Sequence, residues 1–163
     1  MQSLISRRFN LFWPIALGAV LAVQIRLVPD RDVQLRHGHL AIIDVAMDEI
    51  ENASPDCHIW LATNQIRVVA TSSAMLAEAV TIKTSLGIKA DKYHGNGVGE
   101  NDILIMAAAK VLGVELISNE NRQTTEPVVM AKRKIPSVCR LPKVAVVCID
   151  FLDYIKGFGQ VFQ

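Results

Sequence analysis

Three acidic residues stand where element boundaries can gather them. Asp102 falls in the first turn of a helical stretch at residues 101–112, and Glu120 lies just past the apolar run 114–117. Glu49 lies at the edge between the apolar and acidic faces of residues 40–52, which read as a helix. In an α/β sheet, a helix start and the end of a neighbouring strand share one rim. Carboxylates converging there repel one another unless a cation joins them, and the hard ions Mg²⁺ or Mn²⁺ suit oxygen ligands. Such an ion activates water and shields the charge that builds on a phosphodiester under attack. Each acid also has a plainer reading. Asp102 complements the positive end of its helix, worth about 0.3–1 kcal/mol. Glu120 is a solvated loop residue, and Glu49 is surface charge beside Asp48 and Glu51. Spacing alone does not choose between the two sets of readings.

The elements that must position these acids can be read from the pattern. Residues 57–62 form a short helix packed through Ile59, Trp60 and Leu61, and the β-branched run 66–69 is a strand. Thr71 or Ser72 caps a helix that passes Met75, Leu76, Ala79 and Ile82 and stops at Gly87. Residues 90–99 carry three glycines and read as a functional loop. The alanine-rich helix 101–112 ends at Gly113, and strand 114–117 follows. Residues 119–134 are irregular, 144–148 form an apolar strand, and a last helix runs from Asp150 or Phe151 to Lys156. Short apolar strands alternating with helices predict a three-layer α/β/α fold with a mainly parallel central sheet. The length, 163 residues, suits one domain.

The middle of the chain resembles a known family. Residues 99–109 read Gly-Glu-Asn-Asp-Ile-Leu-Ile-Met-Ala-Ala-Ala, and residues 112–120 read Leu-Gly-Val-Glu-Leu-Ile-Ser-Asn-Glu. This is similar to the central signature of the PIN-like ribonuclease superfamily. There an Asp opens an alanine-rich helix, a glycine ends it, and a strand delivers a Ser or Thr with an acid two places on. The later stretch Lys134-Ile135-Pro136-Ser137-Val138-Cys139, followed by residues 144–155, resembles the ending of a little-characterised PIN-like family related to VapC-type toxins. Residues 38–49, ending in Asp-Glu, resemble that family too. The likeness spans roughly residues 38–156 and is strongest over 98–155.

The resemblance implies that Glu49, Asp102 and Glu120 ligate Mg²⁺ or Mn²⁺ and that Ser118 is a polar helper of the ligand shell. It implies hydrolytic cleavage of RNA by a metal-bound water, and a small antitoxin protein as partner. One feature departs from the family: its first strand ordinarily ends in Asp, whereas residues 1–8 contain none and the first acid is Asp30. Either that strand is missing from the start, or a ligand has been lost and the protein is a catalytically inactive PIN-like module that binds RNA or protein. A missing strand also leaves residues 11–23 poorly covered, which calls for a partner chain, an antitoxin or a second copy forming a homodimer.

The remaining features bound the answer. Apolar residues make up 51% and charged residues 20%, enough for a core, and the net charge of +1 advertises no nucleic-acid partner in bulk. Any phosphate contacts would fall to Arg122, Lys132, Arg133 and Lys134 around Glu120, although a charged loop is usually only solvated. His94 reads as a surface histidine, Glu100 as an auxiliary ligand candidate, and the glycines at 95, 97 and 99 lack the Gly-Lys-Ser/Thr of a phosphate loop. Ser72, Ser73 and the cysteines have no histidine at a motif-like spacing, so a nucleophilic hydrolase is unsupported. Cys57, Cys139 and Cys148 form no Cys-x-x-Cys pair and read as buried thiols in a reducing compartment. Arg7 and Arg8 precede the apolar run 11–23, which at 13 residues is short for a membrane span of about 20. It is read as a buried first helix in a cytoplasmic protein; the rival reading is an export signal on a protein of unrelated function.

Overall fold

The computed structural model describes residues 24–26 and 40–156, so the reading of residues 11–23 lies outside the described residues. Leu40–Ile43 is strand β2, with Ala41, Ile42 and Ile43 all buried. This corrects the expected helix over residues 40–52. A strand covered on both faces shows no alternation, and its β-branched side chains favour the pleated backbone. The helix, α1, begins only at Asp44 and runs Asp44–Ala53, burying Ala46, Met47 and Ile50. Helix α2 is Pro55–Thr63, with proline in its first turn. It is buried through Cys57 and Leu61, whereas Ile59 and Trp60 are exposed at 61% and 44%, contrary to the packing expected of them.

Strand β3 is Arg67–Val69, and helix α3, Ser73–Ser85, starts where the Ser72 hydroxyl accepts the Met75 N–H. Helix α4, Glu100–Leu112, buries seven consecutive residues from Ile103 to Ala109, so it sits deep in the molecule and packs against α3. It ends at Gly113, whose φ of +66° is a left-handed conformation that glycine reaches without a side-chain clash. Strand β4, Glu115–Ile117, follows at once.

Beyond it lie one element for which no expectation was stated and one expectation that fails. Residues 135–139, Ile135–Cys139, form a short helix, α5, that is too brief to show periodicity. The apolar run 144–148 is mostly irregular: Val144 and Ala145 N–H both donate to the Leu141 carbonyl at 2.8 Å, and Val146 N–H donates to the Cys139 carbonyl at 3.0 Å. Only Cys148–Ile149 is strand, β5, before helix α6, Phe151–Lys156.

The fold is mixed α/β with short strands in the order β3-β2-β1-β4-β5, where β1 is Gln24–Arg26. Pairs β2/β3 and β4/β5 are parallel, as expected. Strand β1, which the sequence reading did not foresee, lies between β2 and β4 and runs antiparallel to both. Because β1 reverses direction, the carboxyl ends of the other four strands, at Ile43, Val69, Ile117 and Ile149, still share one rim.

That rim is tied together by Asp44. Its carboxylate accepts Thr71 Oγ1–H at 2.5 Å, Thr71 N–H at 2.7 Å and Val45 N–H at 2.8 Å, joining the end of β2 to the loop after β3. Burial acts to raise the carboxyl's pKa, but the bonds from Thr71 and Val45 together hold it below the usual range. A depressed folded-state value means the contribution is present above the unfolded pKa and disappears as pH falls through the folded one. Thr71→Val is therefore expected to lower stability by about 1 kcal/mol at pH 6, modest because the pair stands near solvent. The difference should shrink in urea melts as pH falls below the ordinary carboxylate range.

Candidate functional site

Asp102 is placed by the entry to α4. Gly97 lies so close to the chain at Ala131 that an added Cβ would meet the Ala131 carbonyl oxygen at 1.9 Å, and Val98 N–H donates to the Arg133 carbonyl at 3.2 Å. The loop at residues 90–99 is thereby pinned, and Asp102 Oδ2 accepts the Gly99 N–H at 2.8 Å. Asp102 thus caps the start of its helix, a role beyond the charge complement read from the sequence. Its carboxyl is nonetheless held above the ordinary carboxylate range, first by burial and then, against the Gly99 bond, by the negative charges of Glu120 and Glu49. Asp102 therefore feels the charges of both other acids named from the sequence.

The other two are each engaged. Glu49 Oε1 accepts Asn101 Nδ2–H at 2.6 Å, which links α1 to the first turn of α4. Glu120 Oε2 accepts the Ile135 N–H at 2.8 Å at the start of α5, and its Oε1 lies 3.2 Å from Lys134 Nζ. Ser118 is buried, its hydroxyl accepting the Glu120 N–H at 3.2 Å, so it orients the loop that carries Glu120. Among the described residues, no three His, Cys, Asp or Glu side chains stand together as a ready ion-holding group. The chemistry of the donors nevertheless fits a hard divalent cation: all are carboxylate oxygens, and the ion would offset both the burial of the Asp102 charge, which chiefly raises its carboxyl, and the smaller effect of Glu120 and Glu49.

A polar cavity of about 260 Å³ opens beside Glu120, lined by Ser118, Arg122, Pro136, Cys148 and Asp150 among others. Asn101 and Asp150 escaped the sequence reading as site residues. Asp150 directly follows β5, so the rule that sites gather at carboxyl ends of strands was the available signal. Asn101 had only its adjacency to Asp102. Of the basic residues, Lys134 joins Glu120 and Arg122 lines the cavity, whereas Arg133 is turned to Glu126 at 3.0 Å. His94 serves its own turn, its Nδ1 accepting the Asn96 N–H at 3.1 Å. Glu100 is exposed in the first turn of α4. Cys57 and Cys139 are buried as expected, but Cys148 is not fully covered. Among the described residues, no helix is long and apolar enough to cross a membrane.

No curated protein and no solved structure matches the chain. Residues 30–162 match the model of a family described as a domain of unknown function (DUF4411), and the chain belongs to that family.

Proposed function

We propose that this member of the DUF4411 family is a divalent-metal-dependent ribonuclease of the PIN class, with Asp102, Glu120 and Glu49 as the residues that would hold Mg²⁺ or Mn²⁺. The observation that carries the reading is the electrostatic meeting of those three carboxylates at Asp102, from elements far apart in the chain. In this reading the sheet is the centre of a three-layer PIN-like fold, supported by the strand order and by the two parallel pairs. The resemblance alone supports the further step to a toxin restrained by an antitoxin.

The ion, when bound, supplies an activated water and neutralises charge on the scissile phosphate. The chain's own residues do the rest. Gly99 N–H fixes Asp102, Asn101 fixes Glu49, and Ser118 with the Ile135 N–H fixes Glu120. Arg122 at the cavity wall and Lys134 beside Glu120 offer positive charge to RNA phosphates.

A second reading, an inactive module that binds RNA or protein, is favoured by the Lys134 ammonium beside Glu120 and by β1, which brings no Asp to the rim. Mn²⁺ titration followed by calorimetry, alongside cleavage of single-stranded RNA with and without chelator, separates the two. The nuclease reading expects saturable binding that Glu49→Gln weakens by about tenfold or more, with chelator-sensitive cleavage. RNA retention without Mn²⁺ binding or cleavage would establish the module instead.

A further inference from the structure

Arg133 and Arg140 stand outside that chemistry, yet they converge on one carboxylate. They flank α5: Arg133 follows the turn at Met130–Lys132, and Arg140 follows Cys139. Glu126 lies between the two guanidinium groups, its Oε2 3.0 Å from Arg133 Nη1 and its Oε1 2.9 Å from Arg140 Nη2. The chain behind the pair is fixed. Arg133 N–H donates to the Met130 carbonyl at 3.0 Å, and the Arg133 carbonyl accepts the Val98 N–H at 3.2 Å. Arg140 Nη2 also donates to the hydroxyl of the wholly buried Ser137 at 3.4 Å.

The carboxylate is held less firmly than the arginines. The Arg133 side chain is only 16% exposed. Glu126 ends a run of exposed residues with Thr124 and Thr125, and Val128, two places on, is 97% exposed. Gln123 staples the loop just before this run: its Oε1 accepts the Lys134 N–H at 2.9 Å, and its Nε2 donates to the Lys132 carbonyl at 3.2 Å. Withdrawing Glu126 therefore breaks two partly exposed ion pairs and moves no buried side chain at residues 124–126.

The pair also offers more than a carboxylate uses. Within this triad two positive charges face one negative charge. Arg133 Nε–H is buried and has no acceptor among the described residues. A phosphate group presents more oxygens than a carboxylate and, as a monoester, carries about two negative charges near pH 7. Arginine forks bind such a group through paired hydrogen bonds.

We propose that Arg133 and Arg140 form a binding site for a phosphate group, and that Glu126 is its built-in competitor, closing the pair until phosphate displaces it. The guanidinium groups stay where the fold fixes them, and residues 124–126 swing out as phosphate oxygens take the places of the carboxylate's. The site does not depend on the nuclease reading, since neither arginine is assigned to the metal. Free phosphate and an RNA strand offer the same group, so the test takes each in turn.

The full chain is titrated by calorimetry with inorganic phosphate, and separately with a short oligouridylate, at fixed ionic strength with EDTA present. EDTA keeps metal-dependent binding and cleavage out of the measurement, so failure of the nuclease reading would leave this result untouched. Glu126→Gln keeps the side chain's size and removes its charge. It should bind phosphate about tenfold more tightly than the unsubstituted chain, because two partly exposed ion pairs no longer compete. Adding Arg140→Gln should remove that gain, and Arg140→Lys, which keeps the charge without the fork, should recover part of it. A gain for inorganic phosphate alone assigns free phosphate as the ligand. A gain for the oligonucleotide assigns the phosphates of an RNA strand. No gain in Glu126→Gln, or a gain that Arg140→Gln leaves in place, would overturn the proposal. The comparison of Glu126→Gln with the unsubstituted chain decides even where an Arg140 variant folds poorly.

Discussion

Asp102→Asn is expected to abolish RNA cleavage while leaving the protein as stable as before, or more stable. The asparagine side-chain oxygen can still accept the Gly99 N–H, so the start of α4 keeps its cap. What disappears is the buried negative charge that Glu120 and Glu49 repel. A carboxyl with a raised folded-state pKa favours the fold below its unfolded pKa, and that contribution is lost as pH rises through the folded value. The substitution should therefore raise Tm at pH 7 and change it little at pH 3.5. In a chain of this length each kcal/mol corresponds to about 2–4 °C.

Cleavage should fall by at least about a hundredfold, equivalent to about 2.7 kcal/mol of transition-state stabilisation. The measurement is a pair of calorimetric melts at the two pH values, with Mn²⁺-dependent cleavage of a labelled RNA. Mn²⁺ should raise Tm in the unsubstituted protein and not in Asp102→Asn. A destabilised variant with undiminished cleavage would mean that Asp102 is only a cap and that the chemistry lies elsewhere.

Gly97→Val is expected to be among the most damaging single changes outside the core. An ideal Cβ at Gly97 comes 1.9 Å from the Ala131 carbonyl oxygen and 2.9 Å from its carbon. The obstacle is backbone, which cannot rotate aside as the tip of a side chain would. Relief requires the 90–99 loop to separate from the turn at Met130–Lys132, breaking the Val98–Arg133 bond at 3.2 Å. The expected loss is about 3 kcal/mol, at the top of the usual overpacking range, with Tm falling by about 6–12 °C. Because the same loop fixes Gly99 and hence Asp102, cleavage should fall even at temperatures where the variant remains folded. The control is Gly95→Ala, where an added Cβ meets nothing within 4 Å, and which should cost little. Equal melting temperatures for the two variants would show that the close approach at Gly97 yields readily.

Residues 100–120 show what local sequence can carry. Alanine-rich helix, terminating glycine, short apolar strand and trailing acid follow from propensity and capping, and α4, Gly113 and β4 occur almost where they are expected. Residues 40–43 mislead because helical and strand periods coincide over a short apolar run, and only pairing with β1 and β3 makes it a strand. The same ambiguity hides α5 and shortens β5, where hydrogen bonds to Leu141 and Cys139 keep residues 144–147 out of the strand.

The sequence by itself determined the types of acid and their local addresses: Asp102 at a helix start, Glu120 beyond a strand, Glu49 on a helix edge. Tertiary structure decided that Asp102 feels the charges of the other two, and that Lys134 and Asn101 engage one each of them. The division has a physical cause. Helix caps and strand ends are set by neighbours a few residues away, whereas the field at a buried carboxyl or thiol sums over groups that only the folded chain brings near.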